Sequence, residues 1–226
     1  MPDPSESTRR SYDAVAEAYA SHLAAELEQK PLDRHLLNRF AEATRGRGQV
    51  ADLGCGPGHV AAYLRDQGVS MVGVDLSAAM ITVARSLNAG LEFRVGDMTA
   101  LDFEDASLAG IVAFYSIVHF EPAELAGVFE QMHRVLLPDG LVLVSFHAGD
   151  QVVHADELFG VPVSLDFRFH LPEQVRRALR EAGFRILEEV EREPYAGAEY
   201  QSRRCYLLAS PIPTAQPFDR SADATD

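Results

Sequence analysis

Three glycines at alternate positions, Gly54, Gly56 and Gly58, close the stretch Val50-Ala51-Asp52-Leu53-Gly54-Cys55-Gly56-Pro57-Gly58. Glycine permits a tight turn and lets a ligand approach main chain that a side chain would otherwise shield. Seventeen residues beyond Gly58, an apolar run ends in Asp75. A carboxylate there is an acceptor for both hydroxyls of a ribose, so loop and acid together predict an adenosine-type ligand. Asp52, just ahead of the turn, would repel a pyrophosphate and suits a ligand carrying an ammonium and a sulfonium. A dinucleotide fingerprint wants its third glycine where His59 stands, which leaves an NAD-binding oxidoreductase as the runner-up.

The elements that must position these residues follow from periodicity. Apolar residues spaced by three or four between Ser11 and Thr44 predict helices broken near Pro31. Beyond them strands are expected at 49–53, 70–75, 91–95, 109–114, 140–147, 184–191 and 203–210, with helices at 58–67, 77–88, 122–136 and 172–182. Parallel neighbours need crossover connections, so this alternation implies a doubly wound α/β fold: a mostly parallel seven-stranded sheet behind an amino-terminal helical cap. Its ligands belong at the carboxyl ends of the strands, where strand order reverses. The organisation expected is a cap over residues 1–44, one domain over 45–210, and a disordered Pro/Ala/Ser/Asp-rich tail over 211–226.

Composition narrows the function. The chain has 226 residues, 47% apolar and 24% charged, enough for a core without disulfides or metal. Cys55 and Cys205 are too few for a disulfide framework and read as small buried residues. A net charge of −14 opposes nucleic-acid binding. The opening MPDPSESTRR lacks the order of a signal peptide and no apolar stretch reaches membrane-spanning length, so a soluble cytoplasmic protein is expected. Lys30, the only lysine among 20 basic residues, reads as codon bias.

Read in full, Val50 to Gly58 resembles the first motif of the class I S-adenosylmethionine (SAM)-dependent methyltransferases, and the resemblance runs from about Tyr12 to Ser210. It implies a Rossmann-like fold, SAM as cofactor and S-adenosylhomocysteine as product. Tyr12-Asp13-x-x-Ala16-x-x-Tyr19 is similar to the segment that folds over the cofactor, with Tyr19 as its contact. Asp75 matches the ribose acid, and Leu76 and Met80 the apolar contacts near the adenine. Asp97 matches the partner of the adenine amino group, Met98 the residue flanking the ring, and Phe114 to Ser116 the strand end near the methionine portion. Leu136 to Gly140 is similar to the turn before the fifth strand.

Methyl transfer from a sulfonium is an in-line displacement, so the protein must align donor and acceptor, exclude water, and take a proton where the acceptor carries one. His119, just past the fourth strand, is the first candidate base and His147, ending the fifth, the second. Pocket lining or packing is the alternative for His119. The segment 148–171 interleaves His154, Asp156, Asp166 and Arg168 with Phe159, Phe167 and Phe169, suiting a pocket for a small ring-containing acceptor contacted by Tyr12, His154, Asp166 and Arg168. A solvated loop followed by an edge strand is the plainer reading. His147, His154 and Asp156 match no metal-binding spacing, so no metal is expected. Arg203 and Arg204 are candidates to attract an acidic substrate group, with a solvent-facing strand edge as the plainer reading. The expectation is a methyltransferase for a small organic acceptor, monomer or homodimer being undecided; a noncatalytic SAM-binding regulator is the alternative outside enzymology.

Overall fold

A computed structural model describes residues 4–212. The expected tail lies outside them, apart from Ile212 and Pro211, and Pro211 still belongs to the last strand. In chain order the elements are α1 (Pro4–Leu23), α2 (Pro31–Thr44), β1 (Gln49–Leu53), α3 (His59–Asp66), β2 (Ser70–Asp75), α4 (Ala78–Leu87), β3 (Glu92–Val95) and β4 (Leu108–Phe114). Then follow α5 (Leu125–Val135), β5 (Leu136–His147), β6 (Val152–Leu158), β7 (Val161–Arg168), α6 (Pro172–Glu181), β8 (Phe184–Arg192) and β9 (Arg204–Pro211). Short 3-10 turns occupy Glu26–Gln29 and Ile117–His119.

Seven strands form one sheet in the order β3-β2-β1-β4-β5-β9-β8. The five from β3 to β5 are parallel, while β9 runs antiparallel to both of its neighbours. Order reverses between β1 and β4, which places the ligand crevice beside the glycine turn that follows β1. Alternate residues of the central strands feed two cores. Ala51, Leu53, Val72 and Ile111 pack with Phe129, Met132 and Leu179 of α5 and α6. Val50, Met71, Val112 and Leu143 pack on the other face with Phe40, Leu64 and Ile81.

Local chemistry sets most boundaries. Proline begins α2 and α6, where its missing N–H costs no hydrogen bond. Ser77 caps α4 by accepting the Met80 N–H at 3.1 Å. The expected start of α5 at 122 is corrected to Leu125, because Glu124 turns back to accept the Glu121 N–H at 2.6 Å and holds 122–124 as a turn.

The larger correction concerns 148–171, which is neither loop nor edge strand. Here β6 and β7 form a separate antiparallel hairpin. Its two-residue tip, Phe159-Gly160, has φ of +52° and +79°, as a tight hairpin turn requires at both central positions. The Phe159 ring stacks on His22 at 4.0 Å and meets Tyr19 edge-on at 5.7 Å. In this way the hairpin grips α1, whose Val15, Ala16 and Ala20 form a third core with Met80 and Val83 of α4. Ser11 and Ser164 close the contact, with the Ser164 N–H donating to Ser11 Oγ at 3.1 Å. Among the described residues no helix is long and apolar enough to cross a membrane.

Candidate active site

The loop after β1 is wired to β2 by main-chain bonds: the Gly54 and Cys55 N–H groups both donate to the Val74 carbonyl, at 2.8 and 3.1 Å. Gly54 has φ +70°, and a Cβ on it would lie 2.4 Å from Ser116 Cβ and 3.4 Å from Met98 Cε. Only glycine fits where loop, β4 end and Met98 converge. A Cβ on Gly56 would meet the Tyr19 ring at 3.7 Å, so α1 covers the loop. The Gly56 N–H donates to Asp75 Oδ2 at 2.8 Å and the Ser77 N–H to Oδ1 at 2.9 Å. An ionised carboxylate has about four acceptor sites, so roughly two remain. Burial raises the Asp75 pKa.

Asp97 accepts from the Thr99 N–H and hydroxyl through Oδ1, at 2.8 and 2.7 Å, keeping Oδ2 for another donor. Ser116 Oγ is buried without a hydrogen-bond partner. Half-buried Phe114 packs edge-on against Tyr115 at 5.4 Å. Half-buried Leu76 follows Asp75 directly.

Two expected ligand residues are turned elsewhere. Asp52 is 1% exposed, and its Oδ2 accepts the Ala61 N–H in the first turn of α3 at 3.1 Å. It satisfies a helix terminus rather than facing the crevice, and burial pushes its carboxyl up to about 7. Met80 is buried in the core between α1 and α4. Conversely, Asp13 takes a part that spacing alone did not reveal: its Oδ1 accepts the Ser77 hydroxyl at 2.6 Å and the Ala79 N–H at 3.1 Å, pinning α1 to α4.

Tyr19 leads on to Tyr12, edge-on at 5.9 Å, and the Tyr12 hydroxyl lies 2.8 Å from His119 Nε2. The other ring nitrogen, Nδ1, is 2.9 Å from the Asp166 carbonyl oxygen. Because a carbonyl only accepts, Nδ1 carries the proton, Nε2 offers its lone pair, and the Tyr12 hydroxyl donates. Burial lowers the His119 pKa to about 4, keeping the ring neutral at pH 7.

Residues 50–140 match the family model described as a methyltransferase domain. These residues form a class I SAM-dependent methyltransferase domain. The chain is 30% identical over 159 residues to a malonyl-acyl-carrier-protein O-methyltransferase of Pseudescherichia vulneris, an alignment covering 70% of this chain and 59% of that one. It spans only 50–59% of the length of this and two further relatives of the same name. Among solved structures, the 4+2 cyclase SpnF aligns with a TM-score of 0.71 at 20% identity, over 92% of this chain and 96% of its own. A glycopeptide N-methyltransferase, MtfA, complexed with SAM, aligns with a TM-score of 0.60 at 20% identity, over 80% and 87%. Likenesses this distant establish the fold; the site must carry the chemistry.

SAM, the cofactor of the family, fits the methyltransferase crevice on three counts: the glycine cradle that a Cβ would fill, the orphaned Ser116 hydroxyl, and the uncommitted acceptor sites of Asp75 and Asp97.

Past the ends of β4 and β5 the chain holds a charged cluster that local sequence did not disclose. Lys30, 3% exposed, ion-pairs with Glu26 and lies 3.5 Å from Glu199. Glu199 also pairs with Arg192, and lies 3.4 Å from Arg204. Arg192 donates to Asp33, which accepts from the Tyr206 and Tyr115 hydroxyls as well. Glu26 reaches His59 at 3.1 Å, at the end of the glycine loop. Although burial opposes ionisation of Glu26, His59 and Lys30 hold its pKa down to about 2. Lys30 is thus a buried ionic partner, whatever its codon history. Arg204 corrects a second expectation: it is 2% exposed, because β9 lies between β5 and β8 rather than at an edge.

His147 faces this cluster. Its Nδ1 is 2.7 Å from Ser202 Oγ, and its ring stacks on Phe169 at 4.8 Å. Burial first, then the Arg204 and Lys30 charges, lower its pKa to about 3. Of the expected acceptor contacts, Tyr12 stands at the crevice. Asp166 gives its carbonyl to His119 while its carboxylate turns to exposed His154, and Arg168 is tied to Glu121 at 2.5 Å. Among the described residues, the donors close enough to share an ion are Glu189, Glu191 and Cys205, but Arg176 and Arg203 already engage both carboxylates.

Proposed function

We propose that this chain is an enzyme that transfers the methyl group of SAM to a small organic acceptor. The reading is carried by the position of Gly54, wedged between Ser116 and Met98 under a loop that Tyr19 covers. Gly54, Gly56, Asp75, Asp97, Met98, Ser116 and Tyr19 would hold the cofactor, which when bound supplies a methyl group on a positively charged sulfur. Main-chain groups of the glycine loop allow close approach, and the free acceptor sites of Asp75 suit ribose hydroxyls. Leu76 and Phe114 are assigned to the apolar walls; Asp52 and Met80 support the loop and cap from behind. The α1 lid, gripped by Asp13 and the hairpin tip, keeps water from the reacting atoms.

Between the two histidines we assign the base to His119. Its proton is pinned on Nδ1 and its Nε2 lone pair accepts from the Tyr12 hydroxyl, whereas His147, lowered by burial as His119 is, also faces the Arg204 and Lys30 charges, which disfavour a further proton. His147 lines the acceptor side. Calorimetry with SAM, S-adenosylhomocysteine and NADH tests the cofactor. SAM and its product are expected to bind, NADH not, and Asp75→Ala to lose most of the affinity. Tight NADH binding with SAM ignored would replace this reading with the oxidoreductase one. A filled site with no methyl transfer to any acceptor would favour a regulator.

A further inference from the structure

We propose that Tyr12 and His119 form a relay that removes the proton of an acceptor hydroxyl, so that the reaction at this site is methylation of an alcohol or phenol oxygen. The proposal rests on the methyltransferase reading and adds a substrate class to it. Tyr12 stands between Tyr19, which covers the glycine loop, and His119, in edge contacts at 5.9 and 5.4 Å. Its hydroxyl therefore lies where cofactor side meets base, 2.8 Å from the Nε2 lone pair. The Asp166 carbonyl fixes the tautomer from the far side at 2.9 Å, and the Phe167 ring packs on the imidazole at 5.4 Å. Burial keeps Tyr12 protonated, as a group that must pass one proton on while receiving another.

As the acceptor oxygen bonds to the methyl carbon, the carbon–sulfur bond breaks and its electron pair stays on sulfur. The acceptor proton passes to the Tyr12 oxygen while the Tyr12 proton passes to His119 Nε2, and the imidazolium returns its proton to solvent. A neutral amine attacks through its lone pair and sheds its proton afterwards; a carboxylate has no proton to shed. Among oxygen and nitrogen acceptors, only a hydroxyl needs the relay during transfer.

The test compares wild type, Tyr12→Phe and His119→Gln with methyl-labelled SAM and a panel of phenols, primary alcohols, anilines and benzoates. Methyl ethers are expected from the hydroxyl compounds, with turnover lowered by about 10²–10⁴-fold in His119→Gln and at least about tenfold in Tyr12→Phe, SAM affinity staying near the wild-type value. A second readout is nitrogen NMR of the His119 ring in the S-adenosylhomocysteine complex. It should show the proton on Nδ1, and Tyr12→Phe should raise the His119 pKa, because the neutral ring loses its donor at Nε2. A proton on Nε2, unchanged phenol turnover in Tyr12→Phe, methylation of anilines or benzoates alone, or SAM binding without methylation of any hydroxyl would overturn the relay. Failure of wild type to bind SAM would overturn the methyltransferase reading instead, with the ring tautomer still measurable on the free protein.

Discussion

Replacing Gly54 by alanine adds a methyl group whose position is already occupied. At φ +70° the alanine Cβ would sit 2.4 Å from Ser116 Cβ, well inside the carbon–carbon contact distance of about 3.5–4.0 Å. Left-handed backbone costs a residue with a Cβ about 1–2 kcal/mol, and forcing an extra carbon into packed surroundings costs about 1–3 kcal/mol more. The sum, about 2–5 kcal/mol, corresponds to a midpoint lower by roughly 4–20 °C for a chain of this size. Gly90 is the control: its φ is +86° but a Cβ there meets nothing within 4 Å, so Gly90→Ala should show only the backbone cost of about 1–2 kcal/mol. Urea unfolding of both variants, together with the Gly54→Ala/Ser116→Gly double variant, separates the two contributions. Removing the Ser116 side chain should recover about 1–3 kcal/mol of the Gly54→Ala loss, as contacting residues couple in a double-mutant cycle. A Gly54→Ala variant no less stable than Gly90→Ala, or a strictly additive double variant, would refute the packing of the glycine loop on β4 on which the site rests.

Asp52 makes a second case. Its folded pKa of about 7 lies above the ordinary 3.8, so between those values the folded state holds the extra proton and stability falls as pH rises, by up to about 1.4 kcal/mol per unit. Asp52→Asn should flatten that part of a stability-versus-pH curve measured from pH 4 to 7.5; an unchanged curve would place the proton elsewhere. Glu199 is the carboxylate shared by Lys30, Arg192 and Arg204. Glu199→Gln leaves buried cations uncompensated and should cost about 3–5 kcal/mol in chemical denaturation, whereas a loss below about 1 kcal/mol would match an exposed pair and contradict the buried cluster.

What sequence alone determined is chemistry that is local along the chain. The glycine turn could be recognised because positive φ and close approach restrict residue choice, and three helix boundaries need no tertiary partner to explain them: Pro31 opening α2, Pro172 opening α6 and Gly183 just past its end. Strands β1 and β2 fall on the expected residues, 49–53 and 70–75, since buried parallel strands are apolar runs. The hairpin has a readable signal on one side of its tip, where Val161, Val163, Leu165 and Phe167 alternate; on the other side Glu157 and Leu158 fall out of phase with Val153 and Ala155.

Tertiary structure decided whatever depends on direction or on distant partners. Asp52 sits one residue before Leu53 and two before Gly54, yet strand alternation turns its carboxylate toward α3. Met80 lies under α1 because two helices meet there. The cluster from Lys30 to Arg204 exists because antiparallel β9 was inserted beside β5, which sets Arg204 opposite His147. The tautomer of His119 follows from a hydroxyl 107 residues earlier in the chain and a carbonyl 47 residues later. Residue types announce which groups can move a proton; only the packed chain says which atom carries it, because a hydrogen bond depends on distances and angles that sequence neighbours do not set.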